Sequence, residues 1–266
     1  MPDPAADPRL NRALLTLVAW MVATVVVGTL LRGGAPGSMV DILGLLSSGV
    51  AWNIVVGILV LAVATRAFGW RDLGFGPPDL TAVARLIWFP VLTLLPFYAI
   101  AFAVGLPPGR AVLFLALNTS LVALSEEWMF RGVLFRALRS RLRLWPAVGL
   151  TAVLFGMVHV LNAVALGDLR LALAQALAAA MTGLLLVALM LRTGSIWTAI
   201  VFHMVWNFGI LLLASETAPA ALPEEPLALS GYLIPMLLVL PNLLYGLILL
   251  RKVPDDPLAT PPRDGA

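Results

Sequence analysis

The chain has 266 residues, of which 61% are hydrophobic and 12% charged, with mean hydropathy +0.99, a net charge of +3 and a pI near 9.9. A soluble domain carries about 25% charged and about 45–50% apolar residues, so this composition excludes a fold covered by water and requires lipid around it. The absence of cysteine excludes a disulfide framework, a thiolate nucleophile and a cysteine-ligated metal.

Apolar stretches of about 20 residues, the length a helix needs to cross a bilayer, recur in chain order. The first, 13–31, follows Arg9 and Arg12. It is longer than a signal-peptide core and no A-x-A site follows, so it is expected to be retained. The second and third, 42–64 and 82–104, are continuous, and Arg32-Gly33-Gly34 and Gly76-Pro77-Pro78 lie in the flanking connections. The fourth and fifth, 111–135 and 146–166, are interrupted by polar residues, and 171–191, 195–214 and 231–250 complete the series. The expected fold is all-α, a polytopic membrane helical bundle of about eight transmembrane helices filling 13–250. Residues 1–12 form a cytoplasmic tail. The Pro- and Asp-rich end, 251–266, lacks an apolar period and is expected to be disordered. No internal repeat is visible.

Eight spans place both termini and the loops after spans two, four and six on one side. That side receives Arg9, Arg12, Arg66, Arg71, Arg85, Arg131, Arg136, Arg139, Arg141, Arg143, Arg192, Arg251, Lys252 and Arg263, and the other only Arg32, Arg110 and Arg170. The split of 14 to 3 predicts cytoplasmic termini, and it explains the high pI without nucleic acid as a partner. The lipid bilayer is the partner that the composition demands.

Three clusters break the apolar pattern. A charged side chain inside a span costs about 2.5–3.5 kcal/mol on insertion scales, so such residues are functional candidates by default. The fourth span contains Leu124-Ser125-Glu126-Glu127-Trp128-Met129-Phe130-Arg131, the fifth Phe155-Gly156-Met157-Val158-His159 with Asn162 a turn later, and the seventh Phe202-His203-Met204-Val205-Trp206-Asn207. His159 and His203 are the only histidines. Glu127 and Arg131, four apart, can pair on one helix face in the favoured acid-to-base order. Glu126 points about 100° away from Glu127 and is expected to be the free carboxylate. His203 and Asn207, also four apart, present two polar tips to one side. Counting about 1.5 Å per residue from the arginine-rich end, Glu126 lies about 15 Å deep, His159 about 20 Å and His203 about 12 Å. Three helices therefore bring polar groups to a similar depth.

Each feature alone has a plainer explanation. A histidine in a span can be a hydrogen-bonded packing residue, Glu127–Arg131 a structural ion pair, and Arg136–Arg143 a topology signal. Trp20, Trp52, Trp88 and Trp145 are expected to be interface anchors or packing groups. The combination of Glu, His, His and Asn at one depth is what these explanations leave over.

With these residues in order, the chain resembles the CAAX-processing and bacteriocin-processing (CPBP) intramembrane proteases, also called the Abi or type II CAAX protease family. The family pattern E-E-x-x-x-R, F-x-x-x-H and H-x-x-x-N is matched by Glu126-Glu127-Trp128-Met129-Phe130-Arg131, by Phe155 to His159, and by His203 to Asn207. The resemblance covers about 111–214. It implies an intramembrane endopeptidase acting on membrane-associated peptides or proteins, with catalytic roles for Glu126, His159, His203 and Asn207. Glu126 would be the general base, His159 would help to activate water, and His203 and Asn207 would steady the oxyanion, supported by Glu127 and Arg131. Burial disfavours the charged form of a carboxylate and brings it nearer to a useful base, and donors in a dry site stabilise developing charge. A prenylated substrate is the least transferable part, because the expected location is a bacterial cell membrane.

Zinc held by Glu126, His159 and His203 with one open position is an alternative, although no H-E-x-x-H pair is present. The resemblance favours a water activated by glutamate with no cofactor. Two non-hydrolytic alternatives are a membrane scaffold or bacteriocin self-immunity protein, and a proton-coupled transporter with a Glu/His relay. Against the transporter stand the absence of inverted repeats and of a pair of helices broken by Gly or Pro.

Overall fold

The computed structural model describes residues 8–31, 33, 39–163, 167–217 and 229–254, and no strand occurs among them. The fold is an all-α polytopic bundle. Helix α1 (Arg9–Leu31) begins before the apolar run. Next come α2 (Met39–Ser48) with α3 (Trp52–Ala67), and α4 (Leu80–Leu86) with α5 (Trp88–Val104). Then α6 (Gly109–Glu127) continues through a π-helical segment, Trp128–Leu134, into α7 (Phe135–Arg139), and α8 (Leu144–Val158) ends in a 3₁₀ turn, His159–Leu161. The bundle closes with α9 (Leu169–Thr193), α10 (Ile196–Thr217) and α11 (Leu229–Leu250). Among the described residues, six helices are long and apolar enough to cross a bilayer alone, and the number reaches eight when each bent pair is taken as one span. The C-terminal residues expected to be disordered lie outside the described residues from 255 onward.

The two bends correct the expectation that no helix pair is broken by Gly or Pro. At the α2–α3 bend of 69°, Gly49 stands in the break. Asn118 of α6 satisfies the freed backbone there: its Nδ2 donates to Leu46 O and Gly49 O, and its Oδ1 accepts from Ala51 N, each at 2.8 Å. At the α4–α5 bend of 55°, Pro90 has no N–H to give to Leu86 O, and Tyr245 Oη donates to that oxygen at 2.9 Å instead. Both breaks therefore keep their backbone groups bonded, as a lipid environment demands.

Helix ends elsewhere follow local chemistry. Asp79 caps α4 by accepting from Thr81 N and Ala82 N, and Asp168 caps α9 through Arg170 N and Leu171 N. Gly194, at φ 72°, ends α9 in the left-handed conformation and turns the chain directly into α10. Lipid offers helices no hydrophobic drive to associate, so small residues must let backbones approach. α8 lies on α9 at Gly156, where an added Cβ would overlap Ala176 O, and α11 lies on α9 at Gly246, where it would stand 2.9 Å from Leu185 Cα. The outward faces carry Leu15, Leu30, Leu113 and Leu237, all well exposed, as a lipid-covered surface should.

Candidate active site

The polar residues of the three clusters lie on α6 and the π-helical segment that continues it, on the turn that ends α8, and on α10. Glu127 and Arg131 are both fully buried, 0% exposed, with Arg131 Nη1 3.0 Å from Glu127 Oε1. Arg131 Nη2 donates to Gly183 O on α9 at 3.1 Å, and its Cζ sits 4.3 Å above the Phe155 ring. Arg131, which counted among the loop arginines, thus belongs to the core and carries no weight in the charge split. The π-helical segment begins directly after Glu127. Such widened turns collect at functional sites, and this one carries Arg131.

His203 Nδ1 lies 2.8 Å from the same Glu127 Oε1. A carboxylate only accepts, so this bond places the proton on Nδ1 and leaves Nε2 of the neutral ring with a lone pair. Nε2 faces Glu126 Oε2 at 3.7 Å. His159 Nδ1 lies 2.9 Å from Phe155 O, a carbonyl, so here too Nδ1 donates and Nε2 is the acceptor of the neutral ring. Phe155 sits at the centre of the cluster, edge-to-face with Phe130, His159 and His203 at 5.1, 5.1 and 5.9 Å.

Glu126 differs from its neighbour. Its side chain is 15% exposed, and Oε2 accepts no hydrogen bond from the protein. It opens onto a cavity of about 180 Å³ lined by Trp20, Thr24, Asn53, His159 and Asn162 among others. A second cavity of about 550 Å³ is lined by His159, His203, Asn207, Asn162 and Gln175, by Asn118, Thr119 and Thr182, and by apolar residues of the surrounding helices. His159 and Asn162 border both cavities, and Asn162 Nδ2 donates to Gln175 Oε1 at 3.2 Å. Glu126 therefore faces one compartment and Asn207 the other, with His159 at the boundary.

Several participants are not visible as motifs. Gly183 provides the carbonyl for Arg131, and a Cβ there would stand 3.1 Å from Phe155; a lone glycine in an apolar helix is its only signal. Trp20 is buried, donates to Ser125 Oγ at 2.8 Å and meets Phe130 edge-on, so it is a packing group against the site. Trp52, Trp88 and Trp145 are exposed on the bundle surface. Asn53 and Gln175 had no sequence signal beyond being polar.

Comparison with known families decides the assignment. The family model for the type II CAAX prenyl endopeptidase Rce1-like family matches residues 108–209. These residues are similar to an Rce1-like CAAX protease domain. The match runs from the start of α6 into α10 and contains every residue of the three clusters. No curated protein and no solved structure matches the chain. A segment similar to CAAX proteases, set among several apolar helices, fits a multi-pass integral membrane protein.

Among the described residues, no three His, Cys, Asp or Glu side chains form a group able to hold a metal ion. No step below is routed through zinc.

Proposed function

We propose that the protein is an intramembrane endopeptidase that hydrolyses peptide bonds of membrane-associated peptides or proteins with a water activated by Glu126. The observation that carries this reading is the unshared Oε2 of Glu126, mostly buried and 3.7 Å from an imidazole whose other nitrogen is anchored by Glu127. Glu127 also keeps one oxygen without a protein donor, but it is fully enclosed, whereas Glu126 borders a cavity that water can enter.

Water enters from the smaller cavity and is held between Glu126 and the acceptor Nε2 of His159. The substrate approaches from the larger cavity. Glu126 takes a proton as the water oxygen bonds to the carbonyl carbon, and the carbonyl electron pair moves to oxygen. Asn207 donates to that oxyanion. His203 Nε2 becomes a donor only after taking a proton, and Glu126 is the nearest group able to pass one. Collapse of the intermediate breaks the C–N bond, and the proton from the Glu126–His203 pair leaves with the amine, giving an acid and an amine. The orientation with cytoplasmic termini rests on the basic residues of the loops. Reporter fusions after Arg251 should be active on the cytoplasmic side, and activity only outside would reverse it.

The decisive experiment compares membrane peptides cleaved by the parent protein and by Glu126→Gln, which keeps size and loses the acceptor. Cleavage should fall by about 10²–10⁴-fold with protein level unchanged. Near-normal cleavage by Glu126→Gln would sink the mechanism, and loss of parent activity to a chelator with recovery on zinc addition would sink its metal-free form.

A further inference from the structure

The connection 68–79 between α3 and α4 folds as a strap over the arginine-rich end of the bundle. Ile196 N donates to Gly74 O and Asp79 N to Thr193 O, both at 2.9 Å. Ser195 Oγ bonds Gly76 O at 2.6 Å and Trp197 Nε1 bonds Phe75 O at 3.1 Å. Gly74 takes φ 85°, and Leu73 O lies against Gly132 of the π-helical segment, where a Cβ would come within 3.3 Å. Phe75 stacks edge-on against Trp128 and Trp197, at 5.1 and 5.7 Å. The strap is therefore tied both to the α9–α10 turn and to the residue following Glu127.

A cavity of about 670 Å³ lies beside it, lined by Trp70, Arg71, Asp72, Trp128, Arg136 and Trp197 among others. The charges do not balance. Asp72 is committed to Arg9, with Oδ1 2.8 Å from Nη2. Burial alone would favour the neutral form of the Asp72 carboxyl, yet the hydrogen bond and charge of Arg9, helped by the charge of Arg136, hold it below the ordinary carboxylate range. Arg136 is largely enclosed, its Nη2 is pressed against Gly74, and its Nε is buried without a hydrogen bond. Among the described residues no carboxylate lies within ion-pair distance of Arg136. A part-buried guanidinium without a direct ion-pair partner is costly; Arg136 is compensated only through the charge of Asp72, already committed to Arg9, and Arg71 adds a second cation at the exposed rim. Arginine with tryptophan at the edge of an apolar bundle is the chemistry of the membrane interface.

We propose that this cavity binds the phosphate of an anionic phospholipid headgroup, with Arg136 and Arg71 as the anion contacts and Trp70 and Trp197 beside the glycerol. The bound lipid would brace the strap against α6, next to the candidate active site. The proposal does not depend on the hydrolase mechanism, because its test reads lipid retention and not cleavage.

Full-length protein in micelles carrying equal amounts of phosphatidylglycerol and phosphatidylcholine is released into a native mass spectrometer. One phosphatidylglycerol should be retained in preference to phosphatidylcholine. A juxtamembrane arginine is worth about fivefold in affinity for an anionic lipid, so Arg136→Gln and Arg71→Gln should each reduce the preference about fivefold. Arg136→Lys should retain most of it, and Arg251→Gln, outside the cavity, should leave it intact. Arg71 is exposed, so its variant keeps the test open if Arg136→Gln fails to fold. Equal retention of the two lipids, or a preference unchanged in both glutamine variants, would overturn the proposal. Displacement of the lipid by inorganic phosphate would overturn the headgroup assignment in favour of a soluble phosphate.

Discussion

Two adjacent glutamates on α6 live in different surroundings. Glu127 is fully buried and its Oε1 receives both Arg131 and His203. Glu126, one residue earlier, is 15% exposed and borders a cavity, although each carboxylate keeps one oxygen without a protein donor. About 100° of helical rotation separates them, and that rotation divides the polar layer into a locked half and a loose half. The locked half runs Gly183–Arg131–Glu127–His203 and ties α9, α6 and α10 together. The loose half contains Glu126, His159 and Asn207, whose polar tips line cavities. A chemical step needs groups free to bond water and substrate, and they must be held still by others that are not free. The bond from Glu127 to His203 joins the halves, because it orients an imidazole whose other nitrogen faces Glu126.

The sharpest way to break this comparison is to substitute the two glutamates alike. Glu126→Gln should lose about 10²–10⁴-fold in turnover and leave thermal unfolding in detergent nearly unchanged. Glu127→Gln should lower both, since it leaves Arg131 buried beside a neutral partner. If both variants lost only activity, the division into halves would be wrong. The next effect in size concerns Arg131. Removing one member of a buried pair costs about 3–5 kcal/mol, so Arg131→Gln should be strongly destabilised. The double variant Glu127→Gln, Arg131→Gln should cost less than the sum of the singles. Additive losses measured by unfolding would show that the two residues are not coupled.

A smaller effect separates the oxyanion side from the base. Asn207→Ala removes one donor, which is worth about 2.7–4 kcal/mol of transition-state stabilisation at most. Turnover should fall less than in Glu126→Gln, with little change in KM. A larger loss than that of Glu126→Gln would move the burden of catalysis to the larger cavity.

The sequence revealed the spans because lipid-facing helices must be apolar over a length fixed by the bilayer. The breaks within two of them were hidden, because Pro90 and Gly49 stand in runs whose composition is otherwise ordinary, and their compensation comes from Asn118 and Tyr245, distant in the chain. The Glu127–Arg131 spacing was legible as a local relation between residues four apart. The bond from His203 to Glu127 was not, since it joins residues 76 apart through the packing of α6 on α10. The resemblance implies an oxyanion role for His203; the structure adds that its Nδ1 is bonded to Glu127 and its Nε2 faces Glu126. Arg131 was miscounted with the loops because its distance from the helix end in sequence does not report which way the side chain turns.

The smallest expected effect tests how firmly the loose half is held by its backbone. His159 sits at the end of α8, and α8 meets α9 at Gly156. An added Cβ there would overlap Ala176 O and stand 2.8 Å from Ala180 Cβ and 3.3 Å from Ala180 N. None of these is the tip of a flexible side chain, so Gly156→Ala must push the helices apart. Overpacking of this kind costs about 1–3 kcal/mol, offset in part by the helix propensity gained on replacing glycine, about 1 kcal/mol. Gly149, two turns earlier on the same helix, meets nothing within 4 Å. Gly149→Ala should therefore be neutral or stabilising by about 0.5–1 kcal/mol, and it serves as the control for propensity. Because α8 carries both Phe155 and His159, the shift forced at Gly156 should also reduce turnover, while Gly149→Ala leaves it unchanged. Equal stability and activity in the two variants would mean that α8 can move on α9 freely, and that His159 is not positioned by this seam.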